Sequence, residues 1–333
     1  MIWSKKSMNL IGVALIAVGL LVLASCGAGS AKKVSDEPKI GVAKIVAHPA
    51  LDALEKGIVE EITAAYPKAK IDLQNANGEP ATASQIAQKF KVDKVDVAVG
   101  IATPTAMALA NVLTDIPVIY SAVTDPVAAG LVASYDKGGD HITGTSDLPP
   151  LEGQLDALLA LAPNAKRIGH IYNAGEANSV TTAAKAEAYV KSKGLEFVTA
   201  TVTNSAEVSQ ALTSLIGRVD GIYLSTDNTV FSAISTVADI CLKAKLPLVT
   251  ADPSSAETVP VLAAVGFNYY EMGKATGRIV VEVLKGKKTA EIPTYFAKDP
   301  KEQALVINLD VAKQIGVTVP QAMIDRASLV IGK

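Results

Sequence analysis

Short polar residues stand where strand-like runs give way to helical sequence, and their types suit the binding of a small charged ligand. Thr103-Pro104-Thr105 follows an apolar run that ends at Ile101. Thr103 fits a helix N-cap and Pro104 the first helical turn, where the missing N–H of proline costs no hydrogen bond. A helix start here offers backbone N–H groups, a positive dipole end and two hydroxyls, which suit a carboxylate. The alternative is that Thr103 only caps its helix.

A second set of polar residues offers complementary chemistry. Asp227 occupies, after a later strand-like run, the place that Thr103 occupies after the earlier one. A carboxylate there suits an ammonium, because a partly desolvated, charge-assisted hydrogen bond is strong. Asn178-Ser179, after the turn at Gly175, offers hydroxyl and amide groups like those near Thr103. Helix capping is the open alternative for each of these residues.

Two aspartates and the end of one strand complete the candidates. Asp125 and Asp252 precede prolines, where turn formation alone favours aspartate, and Asp252 is kept as the candidate. Ser121 and Ala122 end a strand-like run and are expected to line the floor of the site. The predicted ligand-binding residues are therefore Thr103, Thr105, Ser121, Ala122, Asn178, Ser179, Asp227 and Asp252.

Motifs for catalysis are missing from the sequence. There is no His-Glu-x-x-His, paired-cysteine, Gly-x-Ser-x-Gly or phosphate-loop motif. His48, His141 and His170 are scattered, and each is predicted to be structural or solvated. We therefore predict no enzyme activity, no metal and no cofactor. A secreted hydrolase stays open as an alternative, and it would need a nucleophile and a base that converge in space.

The elements that position these residues alternate regularly between strand-like and helical sequence. Uninterrupted apolar strands joined by helices indicate parallel sheets covered on both faces, which is a doubly wound α/β architecture. Strands are predicted at 39–46, 95–101, 117–123, 167–172, 221–225 and 247–250, and helices at 50–65, 81–90 and 178–193.

An internal correspondence suggests two lobes. Residues 95–105 align without a gap on residues 219–229, and a helix, a Pro-led strand and an Asp-Pro turn follow each segment. Two similar lobes that face each other would place strand ends on both sides of a cleft, where ligands of open α/β sheets bind. Chance similarity between two βαβ units is the alternative.

The N-terminus is predicted to be an export signal. Lys5 and Lys6 precede an uncharged apolar run, 10–23, that is short for a membrane span. Leu-Ala-Ser-Cys closes this run and resembles the lipobox of bacterial lipoproteins. Acyl chains on Cys26, palmitate among them, would hold the protein at a membrane surface. A plain cleaved signal is the alternative.

Amino-acid composition limits the classes of partner and the covalent bonds that the protein could have. The chain is 49% hydrophobic but only 5% aromatic, and its net charge of −2 gives no electrostatic case for nucleic acid. Besides Cys26 the sequence contains only Cys241. No disulfide is therefore expected, and Cys241 is predicted to be a buried thiol on a helix.

Several segments together resemble the substrate-binding lipoproteins of ABC importers, in the branch associated with tryptophan and tyrosine. The similarity spans essentially the whole mature chain. It implies two doubly wound parallel-sheet lobes of the type I periplasmic-binding-protein kind, joined by a hinge of three crossovers near 144–147, 266–268 and 293–297. The segments that carry the resemblance are the lipobox, 101–106, 121–126, 173–179, 225–228 and 266–273.

The resemblance also implies a domain arrangement and partners. The ligand would be an L-amino acid, preferably aromatic, and the partners an ABC permease and, through the anchor, the extracytoplasmic face of the cell membrane; the protein would be a monomer. Another solute, such as a sugar, and a surface lipoprotein acting in adhesion are the alternatives. The predicted domains are a signal peptide (1–25), a tether (26–38), an N-terminal lobe (39–146 plus 267–296) and a C-terminal lobe (147–266 plus 297–333).

Aromatic residues that could recognise a ligand side chain lie near predicted strand ends or crossovers. Because side chains alternate along a strand, some of these must belong to the core. Tyr120 and Tyr223 are expected to pack in the core. The full set is Tyr120, Tyr172, Tyr223, Phe231, Phe267, Tyr269 and Tyr270.

Overall fold

A computed structural model describes residues 36–298 and 303–332. The predicted signal peptide, Cys26 and most of the predicted tether lie outside the described residues. Within the described ranges, no helix combines the length and the apolar character needed to cross a membrane.

Strands and helices alternate through most of the described chain. The strands are β1 (Lys39–Lys44), β2 (Lys70–Asn75), β3 (Val97–Ile101), β4 (Val118–Ser121), β5 (Ile142–Ser146), β6 (Arg167–Asn173), β7 (Glu196–Val202), β8 (Gly221–Leu224), β9 (Leu248–Thr250), β10 (Ala263–Phe267), β11 (Tyr295–Phe296), β12 (Gln303–Asn308) and β13 (Leu329–Ile331). The α-helices are α1 (Pro49–Ala65), α2 (Pro80–Asp93), α3 (Thr103–Val112), α4 (Leu151–Leu161), α5 (Ala177–Ser192), α6 (Val208–Leu215), α7 (Asn228–Phe231), α8 (Ile234–Lys243), α9 (Pro253–Ala256), α10 (Tyr269–Leu284), α11 (Leu309–Ile315) and α12 (Gln321–Arg326).

These strands form two sheets. The first sheet has the order β11-β5-β4-β3-β1-β2, and all its pairs are parallel. The second has the order β13-β12-β10-β9-β8-β6-β7, in which only β10 and β12 pair antiparallel. The predicted architecture of two doubly wound, mostly parallel lobes is confirmed.

Both sheets use the same strand order. Strands β2-β1-β3-β4-β5 of the first sheet correspond to β7-β6-β8-β9-β10 of the second. The aligned segments 95–105 and 219–229 contain β3 and β8, which hold equivalent places in their sheets. In such sheets the connections from two adjacent strands run to opposite faces of the sheet at the point where the strand order reverses. A crevice opens there, at the carboxyl ends of the strands.

Strand β8 shows how alternation fills the core of the second lobe. Ile222 and Leu224 pack into one apolar cluster, whereas Tyr223 points to the other face and packs into a second cluster. Both faces of the sheet are therefore covered. The Tyr223 hydroxyl donates to Gln154 Oε1 at 2.7 Å, which satisfies the polar atom of this buried ring.

Other predicted core residues also lie in the interior. Tyr120 is fully buried, and its hydroxyl shares a hydrogen bond of 2.6 Å with Thr294. Cys241 lies on α8 inside the second lobe, where burial raises the pKa of its thiol to about 12. His170 is buried between aromatic rings, with Nδ1 2.8 Å from the Tyr223 carbonyl oxygen. The predictions for these side chains as core residues are confirmed.

The chain passes between the sheets three times. It leaves the first sheet after β5, returns after β10 when α10 packs on α1, and leaves again between β11 and β12. Glycines let α10 and α1 approach closely, because a Cβ at Gly57 would collide with the Tyr270 carbonyl oxygen and one at Gly273 with the Leu54 carbonyl oxygen. Helix α10 is thereby fixed against the first lobe, although it follows a strand of the second.

Two helix starts differ from the prediction. Helix α3 begins at Thr103 itself, and Ala102 occupies the cap position with φ 72° and ψ 158°. Thr103 is therefore the first helical residue and makes no side-chain cap. Helix α5 begins at Ala177 after Glu176, so neither Asn178 nor Ser179 is its N-cap.

Candidate ligand-binding site

A cavity lies where the carboxyl ends of the strands of both sheets meet. We call its two sides the first wall and the second wall. The first wall comes from segments that follow strands of the first sheet: His48, Ala50, Leu51, Ala102, Thr103, Ala122, Thr124 and Asp147. The second wall follows strands of the second sheet, namely Asn178, Thr226, Asp227, Asn228, Phe231 and Asp252, and Tyr269 adds the start of α10.

The cavity brings together five of the eight residues expected from the sequence. Its lining includes Thr103, Ala122, Asn178, Asp227 and Asp252.

The other three expected residues do not line the cavity. The Ser121 hydroxyl shares a hydrogen bond of 2.8 Å with Thr276 of α10, because its side chain points into the helix–sheet contact and not toward the floor of the site. Ser179 is fully buried behind the second wall, where a hydrogen bond from its side chain lowers the pKa of Asp227. Thr105 is also fully buried, two residues further into α3 than Thr103.

Two alanines with left-handed backbone shape the first wall. Ala102 has φ 72° and Ala122 has φ 51°. Each follows a strand directly, and Ala102 N–H donates to the Ser121 carbonyl oxygen at 2.9 Å. A non-glycine residue at φ above zero with ψ near 158° is strained by about 1–3 kcal/mol. This turn brings the start of α3, with the Thr103 side chain, to the cavity.

Both carboxylate oxygens of Asp227 accept hydrogen bonds from backbone N–H groups. Its Oδ1 accepts the Val230 N–H at 2.8 Å, which caps α7, and its Oδ2 accepts the Asn173 N–H at 2.6 Å. The side chain is 1% exposed. Burial, together with the nearby charge of Glu176, holds the pKa of Asp227 well above its usual range. Capping and cavity lining, the two alternatives left open by the sequence, are therefore combined in one residue.

Two further buried aspartates face the cavity. Asp252 accepts the Ser254 N–H at 2.8 Å and caps α9. Asp147 Oδ2 accepts from the Tyr269 hydroxyl at 3.1 Å. Burial raises the pKa of each aspartate to about 6. Since no lysine or arginine of the described chain lines the cavity, its three carboxylates create a field that attracts a cation.

Several buried polar atoms of the lining have no hydrogen-bond partner among the described residues. Oδ1 of Asp147 and Oδ1 of Asn178 are acceptors, whereas the Thr103 hydroxyl can donate. The Asn178 orientation is fixed because its Nδ2 donates to the Thr226 carbonyl oxygen at 2.8 Å. Both ring nitrogens of His48 are also unpartnered. Unpaired buried polar groups are costly, so the cavity is built for a ligand that supplies both an ammonium-type donor and polar acceptors.

Among the lining residues that the sequence did not point to, four have side chains that could recognise a ligand. Asp147 was considered only as part of a crossover, and Phe231 and Tyr269 only as members of a larger aromatic set. His48 was predicted to be structural or solvated; it is 8% exposed and lines the cavity. The rule that selected Thr103 and Asp227, a polar residue just after a strand, would also have found Asp147 after β5.

Contacts of several kinds connect the lobes across the cleft in the described part of the chain. Thr124 and Thr226 share a hydrogen bond of 3.2 Å. The His48 and Phe231 ring centroids lie 5.9 Å apart. Outside the cavity, Lys185 Nζ lies 3.3 Å from Asp125 Oδ2. The two lobes are therefore closed on each other. No group of acidic, histidine and cysteine side chains suited to a metal ion occurs in the described part of the chain.

Two α/β lobes of matching topology, closed on a buried polar cavity, define a protein that binds a small ligand between its lobes. The sequence matches the family of ABC transporter substrate binding proteins over residues 39–331. The chain belongs to this family. It is therefore a substrate-binding protein of an ABC transporter with a type I periplasmic-binding-protein-like fold, which binds a small molecule and works with an ABC permease.

Known relatives agree with this assignment. The chain is 36% identical over 326 residues to a protein named Tyrosine-binding protein from Clostridioides difficile (strain R20291), an alignment that covers 95% of this chain and 93% of the relative. A crystal structure of an ABC domain in complex with L-Trp from Streptococcus pneumonia is 34% identical, with a TM-score of 0.84 over 89% of this chain and 100% of that chain.

A third relative differs in its lobe arrangement. A ligand-free, open structure of a substrate-binding protein with adhesive properties from Clostridium difficile is 36% identical. Its TM-score is only 0.65, again over 89% of this chain and 100% of that chain. Because the two solved structures have nearly equal identity to this chain, the lower score reflects lobe arrangement more than sequence. The lobes of this protein are arranged more as in the L-Trp complex.

Proposed function

We propose that this protein binds an L-amino acid, with an aromatic one preferred, in the cavity between its lobes. The observation that carries the proposal is the cavity lining: three buried carboxylates, unpaired polar atoms on both walls and, among the described residues, no lysine or arginine. The names of the relatives that bind tyrosine and tryptophan support the aromatic preference.

The ammonium group of the ligand would lie among the acceptors. Asp147 Oδ1 and Asn178 Oδ1 are unpartnered, and the Asp227 carboxylate lies in the same lining. An ammonium has three donors, so it can satisfy an oxygen on each wall at once. Asp147 is the first residue of the predicted lobe that also contains Asn178 and Asp227, so the ligand would bridge the lobes through its carboxylate at Thr103 of the other lobe.

The carboxylate of the ligand would lie at the start of α3. Thr103 supplies an unpartnered hydroxyl there, and the helix supplies its positive dipole end. Neutral donors suit this end of the site, because the aspartates already give the cavity negative charge. Thr105 and Ser179 also belonged to the predicted carboxylate site, and in this proposal they support the two walls from behind.

The test is isothermal titration calorimetry of the full chain with a panel of amino acids and sugars. Aromatic L-amino acids should bind, and Asp227→Asn and Asp147→Asn should each weaken binding by at least about tenfold, because each removes a charged partner of the ammonium. Asp239→Asn is the matched control, because Asp239 is an exposed partner of Lys243 on α8. Binding of sugars and not of amino acids would overturn the proposal.

The same proposal includes hinge motion about the crossovers. We propose lobes of 39–146 plus 267–296 and of 147–266 plus 297–333, which open without ligand and close with it. The position of α10 against the first lobe supports the first of these sets. Small-angle scattering should give a smaller radius of gyration at saturating ligand, and an unchanged profile would contradict the hinge.

We further propose that the protein is a monomer, anchored by acylated Cys26 on the extracytoplasmic face of the cell membrane. The sequence Leu-Ala-Ser-Cys after an apolar run supports this. Cys26→Ala should release the protein from membranes or leave it unprocessed, as judged by fractionation and intact-mass analysis. A mature protein that begins at another residue would contradict the anchor.

A further inference from the structure

His48 has an environment that its place in the sequence does not reveal. It follows β1 and directly precedes Pro49, the first residue of α1. Its backbone carbonyl accepts the Asp52 N–H at 3.0 Å, so α1 fixes the backbone of this residue. The ring is not used to cap the helix, and it projects into the cavity as part of the first wall.

The imidazole is buried, and the Asn228 side chain is a polar neighbour that opposes the effect of burial on its pKa. Both Nδ1 and Nε2 are inaccessible and form no hydrogen bond of normal geometry. Burial lowers the pKa of His48 to about 4, so the ring is neutral at pH 7. A neutral imidazole has one donor nitrogen and one acceptor nitrogen, and a buried site that leaves both unused disfavours the unliganded state.

The nearest ring belongs to the opposite lobe. Phe231 lies across the cleft with its centroid 5.9 Å from that of His48 and the two planes tilted by 31°. Phe231 N–H donates to the Asp227 carbonyl oxygen at 2.9 Å, so one helical turn joins this ring to a candidate ammonium partner. Ala50 and Leu51 add apolar surface beside His48. This end of the cavity is therefore largely aromatic and apolar, and its polar groups are the imidazole and the Asn228 side chain.

The unpaired atoms of the cavity thus fall into two groups. Those of Thr103, Asp147 and Asn178 match the charged groups that all amino acids share. The imidazole of His48 is the remaining unpaired group among the described lining residues, and it lies beside Phe231, Ala50 and Leu51. A side chain that fills this end without a polar atom would leave the imidazole buried and unpaired.

We propose that His48, opposite Phe231, is the specificity-determining residue that selects an aromatic side chain carrying a hydrogen-bonding group over one without it. The inference rests on the proposed function, because it assumes an aromatic amino acid. The phenol of tyrosine and the indole N–H of tryptophan can each donate to the acceptor nitrogen of His48. Phenylalanine fits the same space but cannot form this bond, and sites built to bond a polar group reject analogues that lack it.

Calorimetry with tyrosine, tryptophan and phenylalanine on the full chain tests this inference. The parent protein should bind tyrosine and tryptophan at least about tenfold more tightly than phenylalanine. His48→Phe should reduce this preference to less than about threefold, chiefly by weakening tyrosine and tryptophan. Phe231→Leu is the matched control across the cleft, and it should weaken all three ligands while keeping their ratio.

Equal affinities in the parent protein, or an unchanged ratio in His48→Phe, would overturn this inference alone. Absence of binding by all three amino acids to the parent would overturn the proposed function and this inference together. If His48→Phe shows no cooperative melting transition, His48→Leu takes its place with the same expected loss of preference, and an unchanged ratio in that variant overturns the inference.

Discussion

The two walls of the cavity have equivalent places in two sheets of the same topology, but they satisfy their polar groups differently. On the second wall, Asp227 and Asp252 accept hydrogen bonds from backbone N–H groups of their own lobe. On the first wall, atoms of His48, Thr103 and Asp147 have no partner. The carboxylates of the second wall are bonded within their own lobe, which leaves Asn178 Oδ1 as its unpartnered acceptor among the described lining residues, whereas most unpartnered polar atoms of the lining belong to the first wall.

This contrast indicates that residues of the two walls contribute differently to ligand affinity and to folding stability. A change on the second wall should cost stability as well as binding, because the side chains there support the backbone. A change on the first wall should cost binding with little loss of stability, since these groups are unpaired before the ligand arrives. The predictions that follow test this division.

The largest effect is expected from Asp227→Ala. This change leaves the buried N–H groups of Val230 and Asn173 without acceptors, so the free energy of unfolding without ligand should fall by about 2–4 kcal/mol. Binding of the amino acid should weaken by more than about 2 kcal/mol. Urea denaturation and calorimetry measure the two effects. Unchanged stability would show that the second wall is not held by this carboxylate.

Asp147→Asn should have the opposite effect on stability. Because the folded-state pKa of Asp147 is raised to about 6 by burial, its favourable contribution is present below the unfolded pKa and is lost as pH rises through 6. Relative to the parent, the variant should gain about 2 kcal/mol of stability between pH 4 and pH 7. Comparing the two proteins in urea at each pH cancels the opposing contribution of the buried histidines, whose pKa values are lowered. A difference that does not vary with pH would contradict this prediction.

Thr103→Val should weaken binding by about 1 kcal/mol, the scale of one hydrogen bond. Stability should change little, because the Thr103 hydroxyl has no partner within the described protein. Valine keeps the shape of the side chain, so calorimetry and thermal melting together separate the lost bond from a packing change. A large drop in melting temperature with unchanged affinity would assign Thr103 to the fold instead.

The smallest effect is expected from Ala102→Gly. Glycine adopts φ 72° without steric strain, so the variant should gain up to about 1 kcal/mol of stability after its larger unfolded-state entropy is counted. Binding should weaken slightly, because the turn that presents Thr103 becomes less rigid. Loss of stability in this variant would show that the conformation of Ala102 costs the folded protein little free energy, which would contradict this prediction.

Much of the fold could be predicted because apolar runs and helical spacing are local properties of the sequence. All six predicted strands are present, with ends that differ by up to two residues. The alignment of 95–105 with 219–229 also located equivalent strands. The helix start at α3 was misplaced by one residue, because the left-handed conformation of Ala102 follows from tertiary contacts and not from alanine itself.

The site was only partly predictable, because the direction of a side chain is not encoded by its place after a strand. Ser121 and Ala122 are neighbours, yet Ala122 lines the cavity while Ser121 bonds to α10. The role of His48 depends on a ring from the other lobe, and no local pattern reports that contact. The lobe boundaries and the acylation of Cys26 stay predictions.

The ion pair between Lys185 and Asp125 has a consequence for transport. It joins the lobes outside the cavity, but the Lys185 side chain is 52% exposed and such a pair contributes only about 0–1 kcal/mol. Like the Thr124–Thr226 hydrogen bond, it adds little to the free energy of closure, so a ligand that contacts both walls should contribute most of that free energy. The permease should therefore meet the closed form mainly when it is loaded, which limits futile docking of empty carriers.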